Sequence, residues 1–474
     1  MGLFILPSRR QLIRRIGREV PQEEGSNDQY VFNEAQKYFR AQKFKTQTGK
    51  VPGLGIGILI VDEIKVIPKT YWNSKNQELM GSSSDSANLQ ALDDLYADER
   101  PNRSSESAEY VLQTVWRDLT DNYDIFGPYW LFGHSVKSAE VFACVMESLR
   151  VFHSNNLQVM GLIMDGSGAN QKVFKELTDT TRIDISYGNI EVPCTFRNPY
   201  NPLKYVAIIP CPSHGVKNII NGLKASETDG TKQFQLSPNS ENFGWKQVRN
   251  QFERERCRQQ NGLTRLVPRL RKSYVDRDAW TKLAVAPALE IQSKKALSEY
   301  HQHCAMLENP EKASVESLIK FLEASYRIYQ EGFLSREPIR NLNSAPLKNI
   351  QEGLKFFSEW AANWPQLGIK QKCFIGFQTF YLLRLSVCGL QALTRAFEKE
   401  CNANQAYFII PHRVNGSAVE TVFSQVRQKA PSGKVTGASY SSCLQRIRAT
   451  RYDTFFKSKK TFGDKYRNCT LHLK

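Results

Sequence analysis

Two carboxylates stand where an acid is costly to leave alone. Asp62 closes the apolar run Gly53-Leu-Gly-Ile-Gly-Ile-Leu-Ile-Val61, and Asp165 closes Leu157-Gln-Val-Met-Gly-Leu-Ile-Met164. Glu420 lies on a helical stretch with Phe423, Val426 and Arg427. An ionised acid at the end of a buried strand needs a partner or a metal. Carboxylates brought from separate elements onto two divalent cations, about 3.5 to 4 Å apart, suit phosphoryl transfer, because the ions neutralise both the attacking and the leaving oxygens. Three acids suffice when phosphate and water complete the oxygen shells. Each acid alone has a plainer reading: acids cap strands and helices routinely, and Asp165-Gly-Ser-Gly could be a turn leading to an N-cap. As a phosphate loop that turn is weak, since no Gly-Lys-Ser/Thr follows it and Lys172 is out of place.

The elements that must carry these acids follow from hydrophobic period. The run ending at Val61-Asp-Glu-Ile-Lys65 reads as a buried strand emerging at a surface, Tyr129–Phe132 and Leu157–Met164 as two more, and a helix is predicted from about Glu140 to Phe152. Val206-Ala-Ile-Ile-Pro-Cys-Pro-Ser-His214 predicts a strand and turn feeding a helix over Gly215–Leu223, with Pro212 and Ser213 at its start. Four strands interleaved with helices suggest an α/β layer. From about 240 to 400 the pattern is helical throughout, an all-α insertion in a mixed fold. Residues 1–50 read as a basic helical lead-in, with Leu12, Ile13 and Ile16 at helical spacing, and the Ser- and acid-rich stretch 80–107 as a flexible insertion. The divisions expected are 1–50, 51–225, 226–402, 403–450 with the Glu420 helix, and a basic tail over 451–474.

The chain has 474 residues, 41% of them hydrophobic, enough for a large core and two or three domains. A net charge of +17 points to a polyanionic partner, of which nucleic acid is the commonest. Ten cysteines without a CxxC pair, no secretory h-region and no run of 18 apolar residues suggest a soluble, reducing compartment. No Cys/His finger of the DNA-reading kind is recognisable. His301, His303 and Cys304 lack the second ligand pair that zinc would need.

The acids sit within four motifs: Val61-Asp-Glu-Ile-Lys65, Asp165-Gly-Ser-Gly-Ala-Asn-Gln-Lys172, Pro212-Ser-His-Gly-Val-Lys-Asn218 and Arg413-Val-Asn-Gly-Ser-Ala-Val-Glu-Thr-Val-Phe-Ser-Gln-Val-Arg427. In this order they resemble the P element and THAP-type DNA transposases over roughly residues 5–450. The resemblance implies an α/β, RNase H-like (retroviral integrase-like) catalytic fold interrupted by a large all-α insertion. It makes Asp62, Asp165 and Glu420 the catalytic and metal-binding triad, with Mg²⁺ or Mn²⁺. The implied reaction is metal-dependent cleavage at transposon ends followed by strand transfer to target DNA. It further implies work in the nucleus and self-association as a dimer or larger on DNA.

The resemblance also implies GTP as a second cofactor, held by Lys282, Val285, Gln330 and Ser417. Here the chain departs from the family pattern: Ser417 replaces an acid, Arg327 stands where the guanine-facing acid is expected, and Ala284-Val285 replaces a Lys-Val pair. A cation in place of an acceptor removes a partner for guanine N–H groups. His214 and Lys217 match the family's Pro-x-His-x-x-Lys pattern, with Cys211 in the place of its acid. As DNA contacts the sequence offers His214, Lys217 and Arg427, with Arg249, Arg256 and Arg258 from the cationic run Lys246–Lys272, a run that could equally be a solvated helix face. Arg446, Arg448, Arg451, Lys457, Lys459 and Lys460 could bind DNA or act as an import signal. The alternative to an active transposase is a domesticated or truncated derivative that binds DNA without cutting it.

Overall fold

A computed structural model of the protein describes residues 22, 24–73, 78–81, 107–179, 193–227, 230–401, 406–430 and 433–457. The helix expected around Leu12–Ile16, nearly all of the acidic stretch 80–107 and the tail beyond 457 lie outside these residues. Helix α1 (Asp28–Gln47) opens the described chain and buries Tyr30, Val31, Ala35 and Tyr38 in the core. Strand β1 (Ile56–Lys65) is buried continuously from Ile56 to Val61, as its unbroken apolar run requires of a strand covered on both faces. A small hairpin, β2 (Tyr71–Asn73) and β3 (Glu78–Met80), stands apart from the main sheet.

The main sheet continues with β4 (Tyr110–Asp118) and β5 (Asp124–Phe132), helix α2 (Ser138–Ser154), β6 (Gln158–Met164), helix α3 (Gly168–Asp179), β7 (Thr195–Asn198), β8 (Asn201–Pro210) and helix α4 (Pro212–Lys224). Its order is β5-β4-β1-β6-β8-β7: β1, β6 and β8 run parallel, and the outer strands pair antiparallel. The sequence pattern predicts four strands and the sheet has six. β4 escapes the pattern because Gln113 and Thr114, both fully buried, interrupt its apolar run. Their polar groups are satisfied within the sheet, with Gln113 Nε2 donating to the Gly127 carbonyl at 3.0 Å and Thr114 Oγ1 to that of Pro128 at 2.8 Å. β7, four residues long, is too short to show a period.

The helical stretch comprises α5 (Trp245–Gln260), α6 (Lys272–Val275), α7 (Ala279–Leu283), α8 (Val285–Ile291), α9 (Lys294–Cys304), α10 (Glu311–Ile328), α11 (Ala345–Ala362), α12 (Leu367–Cys373) and α13 (Phe377–Cys401). One π-helical turn, Tyr329–Phe333, follows α10. Phe234, Phe243, Phe321, Phe357 and Trp360 form an aromatic cluster at its centre. α13 is different, for it lies directly on the sheet: a Cβ added at Gly389 would stand 1.9 Å from the Ile208 carbonyl oxygen of β8. Glycine at that crossing lets helix and strand touch backbone to backbone. The sheet's own cover therefore includes a helix drawn from the 226–402 stretch. The chain closes with α14 (Ser417–Lys429), which rests on β1 and β4, and α15 (Gly437–Lys457). Among the described residues no helix is long and apolar enough to cross a membrane.

Candidate active site

β1 and β6 are parallel neighbours, paired as far as Ile60 and Ile163, so Asp62 and Asp165 emerge side by side at the carboxyl end of the sheet. Open α/β sheets bind their ligands at that end. Glu420 comes from the first turn of α14, where the helix dipole favours a negative charge. The three acids line one cleft with Cys211, His214 and Gly416. Asp62 feels the crowding. Burial, then the Asp165 and Glu420 carboxylates, push its carboxyl up to about 7 from an ordinary 3.8.

Asp165 is held in place by its own motif. The Ser167 N–H donates to its Oδ1 at 3.0 Å, an Asx turn into α3, and Asn170 Nδ2 donates to the same oxygen at 2.6 Å. Gln171 Nε2 closes the turn on the Gly166 carbonyl at 2.8 Å. The turn reading and the site reading of Asp165-Gly-Ser-Gly are thus compatible, since the turn aims the acid. Glu63 adds a fourth carboxylate nearby: burial and Asp165 raise it, and a hydrogen bond from the Val136 backbone counters them.

α4 starts at Pro212, immediately beyond β8, and carries His214 and Lys217 to the cleft. His214 Nε2 stands 3.9 Å from Glu420 Oε1. Burial lowers the His214 ring and Lys217 adds to this, while Asp165 and Glu420 oppose it. Burial lowers Lys217 too, against the pull of Glu420, Asp62 and Asp165. Cys211 is buried beside them, its thiol pushed up to about 11 mainly by burial, and its Sγ accepts the Gly416 N–H at 3.3 Å. Nothing in the sequence pattern marks Cys211 as a tie to the Glu420 helix.

Among the described residues no three His, Cys, Asp or Glu side chains are already grouped tightly enough to hold a metal ion. What the cleft offers is the donor chemistry: hard carboxylate oxygens whose mutual repulsion a divalent cation would relieve.

The other sequence candidates divide. Arg249 is committed to Glu227 and to Asp276, the latter at 2.7 Å. Arg256 pairs with Glu253 at 3.1 Å on an exposed face, and Arg258 Nε donates to the Thr264 carbonyl at 3.3 Å. Arg427 is exposed on α14. Arg448 does not belong to a solvated cationic tail. It is buried, bound to Glu34 at 2.9 Å and stacked on Tyr30. Of the residues read as a GTP site, Gln330 donates its amide to the Leu289 carbonyl at 2.9 Å, and Lys282 and Val285 lie on α7 and α8. Ser417 is engaged elsewhere, its hydroxyl accepting from Arg117 of β4 at 3.3 Å. Arg327, at the position of the family's guanine-facing acid, pairs with Glu352. His301 contacts Glu323 at 2.9 Å.

Comparison with known proteins bears on this geometry. Residues 34–178 match the family model "TNP-like, RNase H N-terminal domain". Among solved structures the chain is similar to the Drosophila P element transposase strand transfer complex, with a TM-score of 0.65 and 15% identity over 94% of this chain and 85% of that one. No curated protein matches the chain. The six-stranded sheet with its helices is therefore an RNase H-like fold.

Proposed function

We propose that this chain, of the P element transposase type in domain family and fold, is a DNA transposase that cuts and joins DNA with Asp62, Asp165 and Glu420. The observation that carries the reading is the delivery of three acids from three separate elements to one cleft, where burial and the other two carboxylates raise Asp62. The carboxylates of Asp62, Asp165 and Glu420 would hold Mg²⁺ or Mn²⁺, which when bound supplies neutralisation of the attacking and leaving oxygens.

The chain's own residues then do the rest. Asn170 and the Ser167 N–H fix the orientation of Asp165. Lys217 and His214, on the first turns of α4 beside the three carboxylates, would donate to a DNA phosphate. Arg427 and Arg256, both exposed, and Arg258 would add phosphate contacts, which position DNA without reading its sequence. Such a protein works in the nucleus and pairs two DNA ends as a dimer or larger. GTP has less support, since Ser417 and Arg327 are already engaged within the protein.

The test is nicking and strand transfer of a labelled transposon-type DNA end with Mg²⁺ or Mn²⁺, comparing the wild-type chain with Asp165→Ala and adding GTP in parallel. Metal-dependent product that the variant loses by at least about a thousandfold supports the transposase. DNA binding without product in either protein would establish the non-cutting, transposase-derived reading instead.

A further inference from the structure

The geometry points to Arg117 as a positioning residue for Glu420: it clamps the first turn of α14 to the central sheet. The inference rests on the reading of Asp62, Asp165 and Glu420 as one reactive site.

Arg117 lies on β4, opposite Ile58 of β1. Its guanidinium is locked by a two-point pair with Asp124 of β5, Nε to Oδ1 at 2.8 Å and Nη2 to Oδ2 at 3.1 Å. That fork fixes the plane of the group and aims the remaining nitrogen. Nη1 reaches the Ser417 hydroxyl, one turn ahead of Glu420, and the Arg413 carbonyl, just before the helix, both at 3.3 Å. Arg413 returns the grip, donating to the Asp121 and Asp118 carbonyls at 2.8 and 3.0 Å. Two guanidiniums thus tie the β4–β5 turn to the entry of α14. Asn415 Oδ1 caps the Ser417 N–H at 2.9 Å, and Cys211 holds Gly416 from the other side.

Beyond its first turn, α14 is held mainly by Ala418, Val419, Val422, Phe423 and Val426, buried apolar side chains whose contacts are non-directional and permit small slides, and Arg446 donates to the Lys429 carbonyl at 3.2 Å at its far end. A ligand carboxylate has to be held within about 0.5 Å and 10–20°. The directional bonds at the entry of α14 supply that constraint, and those of Arg117 join it to the central sheet through a side chain that Asp124 fixes in plane. Lysine cannot, because a point charge does not bind two carboxylate oxygens and a third acceptor in one plane.

The experiment follows Arg117→Gln, Arg117→Lys and Asp124→Asn by amide hydrogen exchange of the metal-free chain, by Mn²⁺ affinity and by DNA-end nicking. Exchange over residues 413–423 should accelerate about tenfold or more while the amides of β1 and β6 hold. Mn²⁺ affinity should fall about 10- to 100-fold, the usual consequence of losing a residue that orients a metal ligand, with nicking falling in parallel and lysine giving no rescue. The inference is overturned if a folded Arg117→Gln keeps wild-type exchange over 413–423. It is overturned equally if exchange rises uniformly across the sheet and lysine restores it. Should Arg117→Gln fail to fold, the lysine and Asp124→Asn variants decide by the same criteria. Failure of the catalytic reading looks different: the wild-type chain itself would bind no Mn²⁺ and nick no DNA, and the exchange result would still report whether Arg117 holds α14.

Discussion

The cleft at the carboxyl end of the sheet and the cationic helix α5 hold opposite charges under opposite arrangements. On α5, most of the charge is spent inside the protein. Arg254 grips Glu299 at two points, 2.8 and 3.0 Å, and Gln251 Nε2 donates to the same carboxylate at 2.7 Å. Glu255, fully buried, faces Arg265 at 3.7 Å and accepts the Val267 N–H at 2.8 Å. In the cleft, Asp62, Asp165 and Glu420 crowd together, the cation facing them is Lys217, and burial lowers both it and the His214 ring. A run of like charge is thus weak evidence of function until its partners are known. Carboxylates that the fold crowds together until one of them is raised are stronger evidence, because the protein bears that repulsion for a reason other than stability.

The contrast can be broken on α5 by single substitutions. Arg254→Ala leaves the buried Glu299 carboxylate without its cation, and urea unfolding should show a loss of about 3 kcal/mol. Loss of DNA affinity at unchanged stability would instead mean that Arg254 faces the polyanion. Arg256→Ala, whose pair with Glu253 is exposed, should change stability by no more than about 0.5 kcal/mol. Its DNA affinity should drop modestly, with a shallower salt dependence, if the exposed side of α5 touches phosphate. An affinity unchanged at low salt would confine α5 to a structural role.

The same contrast marks what the sequence could reveal. The strand-end positions of Asp62 and Asp165 are legible because each follows an apolar run too short for a typical helix and rich in β-branched residues or bounded by turn residues. The helix over 212–224 is legible from Pro212, at its first position. Pairings between distant segments leave no local trace. Arg117 reads as one more cation on a polar-interrupted strand, yet it reaches residues almost 300 positions away. Arg448 reads as part of a basic tail, yet it is drawn into the core by Glu34 and Tyr30 of α1. Cys211 looks like a lost acid and is a buried thiol beside Gly416. Periodicity reports which face is buried, and it is silent on which side chain from elsewhere completes the site.

The most direct measurement is thermal stability of the chain between pH 5 and pH 8, with and without Mn²⁺, for the wild type and Asp62→Asn. In the folded chain the Asp62 carboxyl sits near 7, above its ordinary 3.8, so the protonated form is the favoured one. Its contribution to stability is therefore complete below about pH 4 and lost as pH rises through about 7. Without metal, the wild type should weaken toward pH 8, and Asp62→Asn, which carries no charge there, should be more stable by on the order of 2 kcal/mol. Mn²⁺ displaces the proton, so it should stabilise the wild type far more at pH 8 than at pH 5 and leave the variant nearly unaffected. Stability indifferent to Mn²⁺ at both pH values would contradict the assignment of Asp62, Asp165 and Glu420 as a metal-dependent catalytic site.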